Sequence, residues 1–116
     1  MPKDDRPIYI QLIECLQCGI LTAKYPPGSV FPSVRILADK YKVNPNTVQR
    51  AVSELAARGL IHTNRTAMKR VTKNREEIEK TRKTLIFMII KAYFDEMKSL
   101  GISIDEAVKY IESRSS

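Results

Sequence analysis

The chain has little of what catalysts and membrane proteins need. Its 116 residues include two cysteines, one histidine, four glycines and no tryptophan. Two cysteines and one histidine are too few for a zinc cage built by one chain. His62 stands alone, no glycine-rich phosphate loop is present, and no nucleophile sits in a recognisable setting, so enzymatic chemistry is not expected. No metal or cofactor is implied. The longest unbroken apolar run is Leu85, Ile86, Phe87, Met88, Ile89 and Ile90, far short of the roughly 20 residues needed to span a bilayer. The opening segment MPKDDRPIYI has no apolar signal core and no small-residue cleavage site, which predicts a cytoplasmic protein. What remains is a binding protein.

What is present is positive charge, unevenly placed. Twenty Lys and Arg face thirteen Asp and Glu, for a net charge of +7. Residues 1–74 hold twelve basic and five acidic side chains, whereas residues 75–116 hold eight of each. The whole excess lies in the first part of the chain. A localised basic field points to a polyanionic partner, with nucleic acid ahead of an anionic membrane surface. A hydrophobic fraction of 43% is ordinary for a globular chain and argues against wholesale disorder.

Periodicity and punctuation predict five helices and a hairpin. Pro7 suits a first helical turn, and Ile8, Leu12, Leu16, Gly19, Ile20 and Ala23 recur at helical spacing, giving a helix over residues 7–24. Tyr25, Pro26, Pro27 and Gly28 stop it, and residues 29–32 form an extended link. Ser33 caps a short helix reaching about Tyr41, with Ile36, Leu37 and Tyr41 facing inward. Asn44 is a good N-cap and Pro45 a good first position for a third helix, which ends near Arg58 before Gly59. Residues 60–63 and 69–72 pair as short strands around a loop at 64–68. A long helix runs from Arg75 to about Leu100. Ser103 and Glu106 form a capping box for a last helix through about Glu112. The predicted fold is mainly α with a small β-hairpin: a winged helix-turn-helix over residues 1–74, then a C-terminal two-helix dimerisation segment over residues 75–116.

In such a fold the second helix of the helix-turn-helix enters the major groove and offers its first turns to base edges. Here Val48, Ala51, Val52 and Leu55 make that helix's buried stripe, leaving Asn46, Thr47, Gln49, Arg50 and Ser53 outward. Asn and Gln can pair bidentately with adenine, and Arg with guanine. Arg35, Lys40, Lys42 and Arg58 suit phosphate contacts, which set affinity without reading sequence. The competing interpretation is that these charges only solvate helix surfaces.

Two ordered stretches make the match specific. Pro7-Ile8-Tyr9-Ile10-Gln11-Leu12 is followed by residues 27–38, which run from Pro27-Gly28-Ser29 through Ser33-Val34-Arg35-Ile36-Leu37-Ala38. Asn44-Pro45-Asn46-Thr47-Val48-Gln49-Arg50-Ala51 is followed by Glu54-Leu55 and Gly59-Leu60-Ile61. Over about residues 7–72 the chain resembles the GntR family of bacterial transcription regulators, and its third-helix segment is especially similar to the short YtrA-like branch. The resemblance implies that Ser33 caps the second helix, that Arg35 contacts DNA, and that Asn44, Asn46, Thr47, Gln49 and Arg50 belong to the recognition helix and its cap. Two departures stand out. Val34 replaces a usual Glu, a change expected to be tolerated. The wing, typically Arg-x-Gly-x-Gly before an aromatic and Val, reads Asn64-Arg65-Thr66-Ala67-Met68-Lys69-Arg70-Val71. Without glycine's backbone freedom its tip must take another conformation. Arg65, Lys69 and Arg70 keep it basic, so contact with phosphate or minor groove is still expected.

The C-terminal segment is too short to enclose a sizeable ligand cavity. The resemblance implies a helical pair used for dimerisation, and the residues agree independently. Ile78, Leu85, Ile86, Ile89, Ile90, Tyr93 and Phe94 lie in a helix that is apolar on every side over residues 85–90, and such a helix must be buried on every side. A partner subunit is the natural cover; the alternative is packing within its own domain. A two-fold dimer would address a pseudo-palindromic site on double-stranded DNA. Cys15 and Cys18 form a CxxC inside the first helix and are read as small buried hydrophobes rather than a redox pair. The expected function is a sequence-specific DNA-binding regulator acting as a homodimeric repressor, with transporter operons among the targets that the resemblance implies; the sequence specifies no small-molecule effector. The alternative is a winged-helix protein-interaction module whose DNA binding is weakened by the glycine-free wing.

Overall fold

A computed structural model describes residues 5–66 and 68–115 of the chain. The elements are α1 (Ile8–Leu21), α2 (Val34–Tyr41), α3 (Pro45–Ala57), β1 (Ile61–Thr63), β2 (Lys69–Val71), α4 (Arg75–Ser99) and α5 (Ile104–Ser115). The structure is mainly helical with one small antiparallel sheet, as expected. It divides into two compact units, Met1–Glu79 and Lys80–Ser116. The division falls inside α4, not at the change in charge before Arg75. The reason is Ile78, grouped from sequence with the dimerisation residues. It is only 6% exposed and packs within the core of the first unit, so its apolar surface is already covered.

That core is assembled from the faces that periodicity marks. Leu12, Leu16 and Ile20 of α1 meet Leu37 of α2 and Val48, Ala51, Val52 and Leu55 of α3, closed off by Phe31, Leu60, Ile61 and Val71. α1 ends at Leu21, short of the expected residue 24. Ala23 takes the left-handed φ of 62°, and the Tyr25 amide then donates to the Gly19 carbonyl at 3.0 Å. A left-handed residue cannot continue a right-handed helix. Gly19 is required where it is. A Cβ there would stand 2.6 Å from Cε2 of Tyr25, whose ring packs edge-on against Phe31 with centroids 5.0 Å apart. Pro7 sits just outside the helix, its carbonyl accepting from the Ile10 and Gln11 amides.

In α2 the Ser33 hydroxyl accepts from the Ile36 amide at 3.2 Å. Ile36 itself is 60% exposed, against expectation. The inward stripe is Val34, Leu37, Ala38 and Tyr41, and a turn of roughly 100° per residue swings Ile36 out of it. The same stripe explains the Val34 departure: an apolar side chain there packs against the core. In α3 the Asn44 side chain accepts from the Asn46 amide at 2.7 Å with Pro45 in the first turn. The helix closes at Gly59, whose φ of 80° lets the Leu60 amide reach the Leu55 carbonyl at 3.1 Å.

The hairpin pairs Ile61 with Val71, His62 with Arg70 and Thr63 with Lys69. Residues 29–31, expected as a bare link, line the other edge of β2. The Phe31 amide donates to the Lys69 carbonyl at 2.7 Å and the Val71 amide to the Ser29 carbonyl at 2.9 Å. Asn74 caps α4 by accepting from the Glu76 and Glu77 amides at 3.0 and 3.2 Å. In the second unit the Ser103 hydroxyl accepts from the Glu106 amide at 3.2 Å, and α5 runs on to Ser115, beyond the expected Glu112. The Tyr93 hydroxyl ties α4 to α5 through the Ala107 carbonyl at 3.0 Å.

Candidate nucleic-acid interface

All ten residues expected to meet DNA lie in the first unit. The α3 core stripe holds the helix so that Asn46, Gln49 and Arg50 are exposed, while Thr47 is half-buried beside Val48. Two of these side chains have local partners. Gln49 donates from Nε2 to the Ser53 hydroxyl at 3.2 Å, one helical turn on. The Arg50 guanidinium lies over the Tyr9 ring of α1, 3.7 Å from its centroid. Ser33 and Asn44 are exposed but use their side-chain oxygens as caps. Arg35 is exposed in the first turn of α2.

The wing solves its missing glycines with a side chain. Oδ1 of Asn64 accepts from the Thr66 amide at 3.0 Å, the Thr66 hydroxyl at 2.7 Å and the Met68 amide at 3.1 Å. The Asn64 amide donates to the Met68 carbonyl at 3.0 Å, closing the loop on itself. Asparagine readily organises a turn in this way. Arg65 stands exposed on the tip. Arg70 instead folds onto its own hairpin, with Nη1 donating to the Gly28 carbonyl at 3.0 Å, and Lys69 is half-buried in β2. His62, Asn64, Arg70 and Lys73 line an open groove of about 490 Å³ beside the wing.

The remaining basic residues are not equivalent. Arg58, expected to contact phosphate, is tied down within the fold. Its Nη1 donates to Oε1 of the buried Gln17 at 2.9 Å and its Nε to Glu54 at 3.1 Å, clamping the end of α3 to α1. Lys42 lies 3.6 Å from Asp39. The neighbouring Lys24 ammonium holds Lys40 below the usual lysine range, so positive charge gathers where α1 ends beside α2. Burial and the adjacent Cys15 push the Tyr41 hydroxyl above its ordinary value. Cys15 and Cys18 are both exposed, which corrects their reading as buried hydrophobes; the Cys15 sulfur is 3.5 Å from the Tyr41 hydroxyl.

An outward polar face on the second helix of a helix-turn-helix, followed by a basic hairpin, is the geometry of a winged-helix DNA reader. Residues 8–67 match the description "Bacterial regulatory proteins, gntR family". The chain belongs to the GntR family. Over 112 residues it is 30% identical to the HTH-type transcriptional repressor YtrA of Bacillus subtilis, covering 96% of this chain and 86% of that protein. It is 29% identical to the HTH-type transcriptional regulator YhcF of the same organism over 111 residues, covering 96% and 92%. A GntR family transcriptional regulator from Listeria monocytogenes superposes with a TM-score of 0.90 at 32% identity, covering 97% of this chain and 98% of that one. The protein is therefore a DNA-binding transcriptional regulator of the GntR type, and its relatives are regulators, a non-enzyme kind of family. Among the described residues no helix is long and apolar enough to cross a membrane.

Sequence reasoning missed three features of this GntR surface. The stacking of Arg50 on Tyr9 and the clamp from Arg58 to Gln17 join residues far apart in the chain, and no local pattern announces them. The Asn74 cap was legible, since asparagine before a run of acidic residues is a common helix start.

Proposed function

We propose that this regulator is a cytoplasmic homodimeric repressor that acts by occupying a pseudo-palindromic operator and blocking polymerase. The observation carrying the DNA-reading half is the face of α3, where Asn46, Gln49 and Arg50 are exposed above a fully buried stripe. Asn and Gln suit adenine and Arg suits guanine, while Arg35, Arg65, Lys69 and Arg70 add positive charge for phosphates. Repression follows the role of the YtrA repressor to which the chain is similar, and a transporter operon is the target class we favour.

Dimerisation belongs to residues 75–116, with Leu85, Ile86, Ile89, Ile90, Tyr93 and Phe94 at the seam. Among the described residues of Lys80–Ser116, Ala107 is the one buried apolar side chain, while Phe87 is 68% and Ile89 69% exposed. A helical pair with so little core of its own needs a partner surface to cover it. A C2 partner would set two recognition helices one helical turn or more apart on the duplex.

Selection of bound fragments from random DNA, followed by sedimentation of the complex, tests both halves. Two inverted half-sites recovered with two chains per duplex are expected. Failure to enrich any sequence would favour the protein-interaction module instead, and a single half-site bound by one chain would refute the dimer.

A further inference from the structure

We infer that Tyr9 of α1 is a positioning residue for sequence reading, a platform that holds the Arg50 guanidinium ready for a base edge. The inference rests on Arg50 being a base reader. It starts from the 3.7 Å separation between the guanidinium carbon and the Tyr9 ring centroid, which is van der Waals contact between the cation and the ring face. Tyr9 is half-buried and packs against the core that also fixes α3. The platform and the recognition helix are thus referenced to the same rigid body.

Stacking and reading do not compete for the same part of the arginine. The aromatic ring engages the guanidinium face, whereas hydrogen-bond donors radiate from its edge in the plane. A stacked Arg50 keeps those donors for the O6 and N7 acceptors of guanine, the pairing that needs the planar fork. An exposed arginine otherwise samples many rotamers and must be ordered when DNA arrives. Holding it in advance removes part of that cost and limits which base pair it can reach. A lysine ammonium is also drawn to an aromatic face, as Lys24 is over Tyr25 at 5.7 Å, but it lacks the planar fork that stacks face-on while its edge pairs with guanine.

The test measures affinity for the selected operator and for single base-pair variants of it, using wild type, Tyr9→Leu, Tyr9→Phe, Arg50→Ala and the Tyr9→Leu/Arg50→Ala pair. Tyr9→Leu is expected to weaken operator binding by about two- to tenfold, the ordering cost of one long side chain. Its loss of discrimination should fall at the base pair that Arg50→Ala identifies, with the salt slope unchanged. Tyr9→Phe, which keeps the ring, should behave as wild type, and Tyr9→Leu should add nothing once Arg50 is gone. Full selectivity in Tyr9→Leu alongside a loss in Arg50→Ala would overturn the platform while leaving the reader intact. No loss in Arg50→Ala would overturn the reading beneath it, and the platform with it. Should Tyr9→Leu fold poorly, relaxation of the Arg50 Nε–H in the free wild-type protein decides: an order parameter near that of the backbone supports the platform, and one below about 0.6 overturns it.

Discussion

Replacing Asn64 by alanine isolates how a wing without glycine keeps its shape. The substitution removes one oxygen that accepts three hydrogen bonds, from the Thr66 amide, the Thr66 hydroxyl and the Met68 amide. Exchanging a protein hydrogen bond for one to water costs about 0.5–1.5 kcal/mol, and the exposed tip places each bond near the lower end. The loop should therefore lose about 1–2 kcal/mol of local stability, raising its open population roughly tenfold. Hydrogen exchange at the Thr66 and Met68 amides should quicken by about that factor. The Val71 amide, bonded to the Ser29 carbonyl at 2.9 Å in the ladder, should keep its rate. Asn64→Asp supplies the control, since a carboxylate accepts the same bonds. It should preserve exchange protection yet weaken DNA binding, because it sets a negative charge beside the phosphates. Unchanged exchange in Asn64→Ala would mean that the bond from the Asn64 amide to the Met68 carbonyl closes the tip unaided, and the account would be wrong.

Other outcomes follow from the same geometry. Ile89→Asp places a charge on the exposed apolar face of α4 and should yield monomers by sedimentation, with melting of the first unit unaffected; a dimer of wild-type affinity would contradict the proposed seam. Ile78→Ala should do the opposite, costing about 2–4 kcal/mol of stability by leaving a cavity while the oligomeric state is kept. Chemical denaturation with sedimentation separates the two. Gly19→Ala drives a methyl into the Tyr25 ring and should destabilise the first unit by about 1–3 kcal/mol, read from the denaturation midpoint. Operator affinity should fall steeply between low and physiological salt as counterions are released, and a flat salt profile would count against phosphate contacts by the basic residues.

Much of this architecture is written locally. The caps at Ser33, Asn44 and Ser103 occur where short polar side chains precede apolar periodicity, and each accepts the expected amide. The α3 stripe of Val48, Ala51, Val52 and Leu55 was legible because a helix repeats every 3.6 residues, and naming the buried face also names the outward one. Ile36 shows the limit of such reasoning. In a helix of two turns, several apolar residues compete for one stripe, and only the neighbouring helices settle the phase. The exposed Cys15 and Cys18 make the same point on α1, where the stripe runs through Leu12, Leu16 and Ile20 and turns both sulfurs outward.

The chain by itself determined element order, helix boundaries to within a few residues, the basic first part and the outward face of α3. These follow from short-range periods, caps and charge, which each segment carries wherever it is placed. Tertiary structure decided the partners of side chains: Arg50 on Tyr9, Arg58 on Gln17, Arg70 on Gly28, and Ile78 with the first unit's core. Those pairings join residues remote in the chain, so they exist only once packing has fixed the distances between elements. The wing lies between the two cases. Its need for a substitute for glycine was visible in residues 64–71, but that Asn64 supplies it depended on a loop geometry that only the folded hairpin creates.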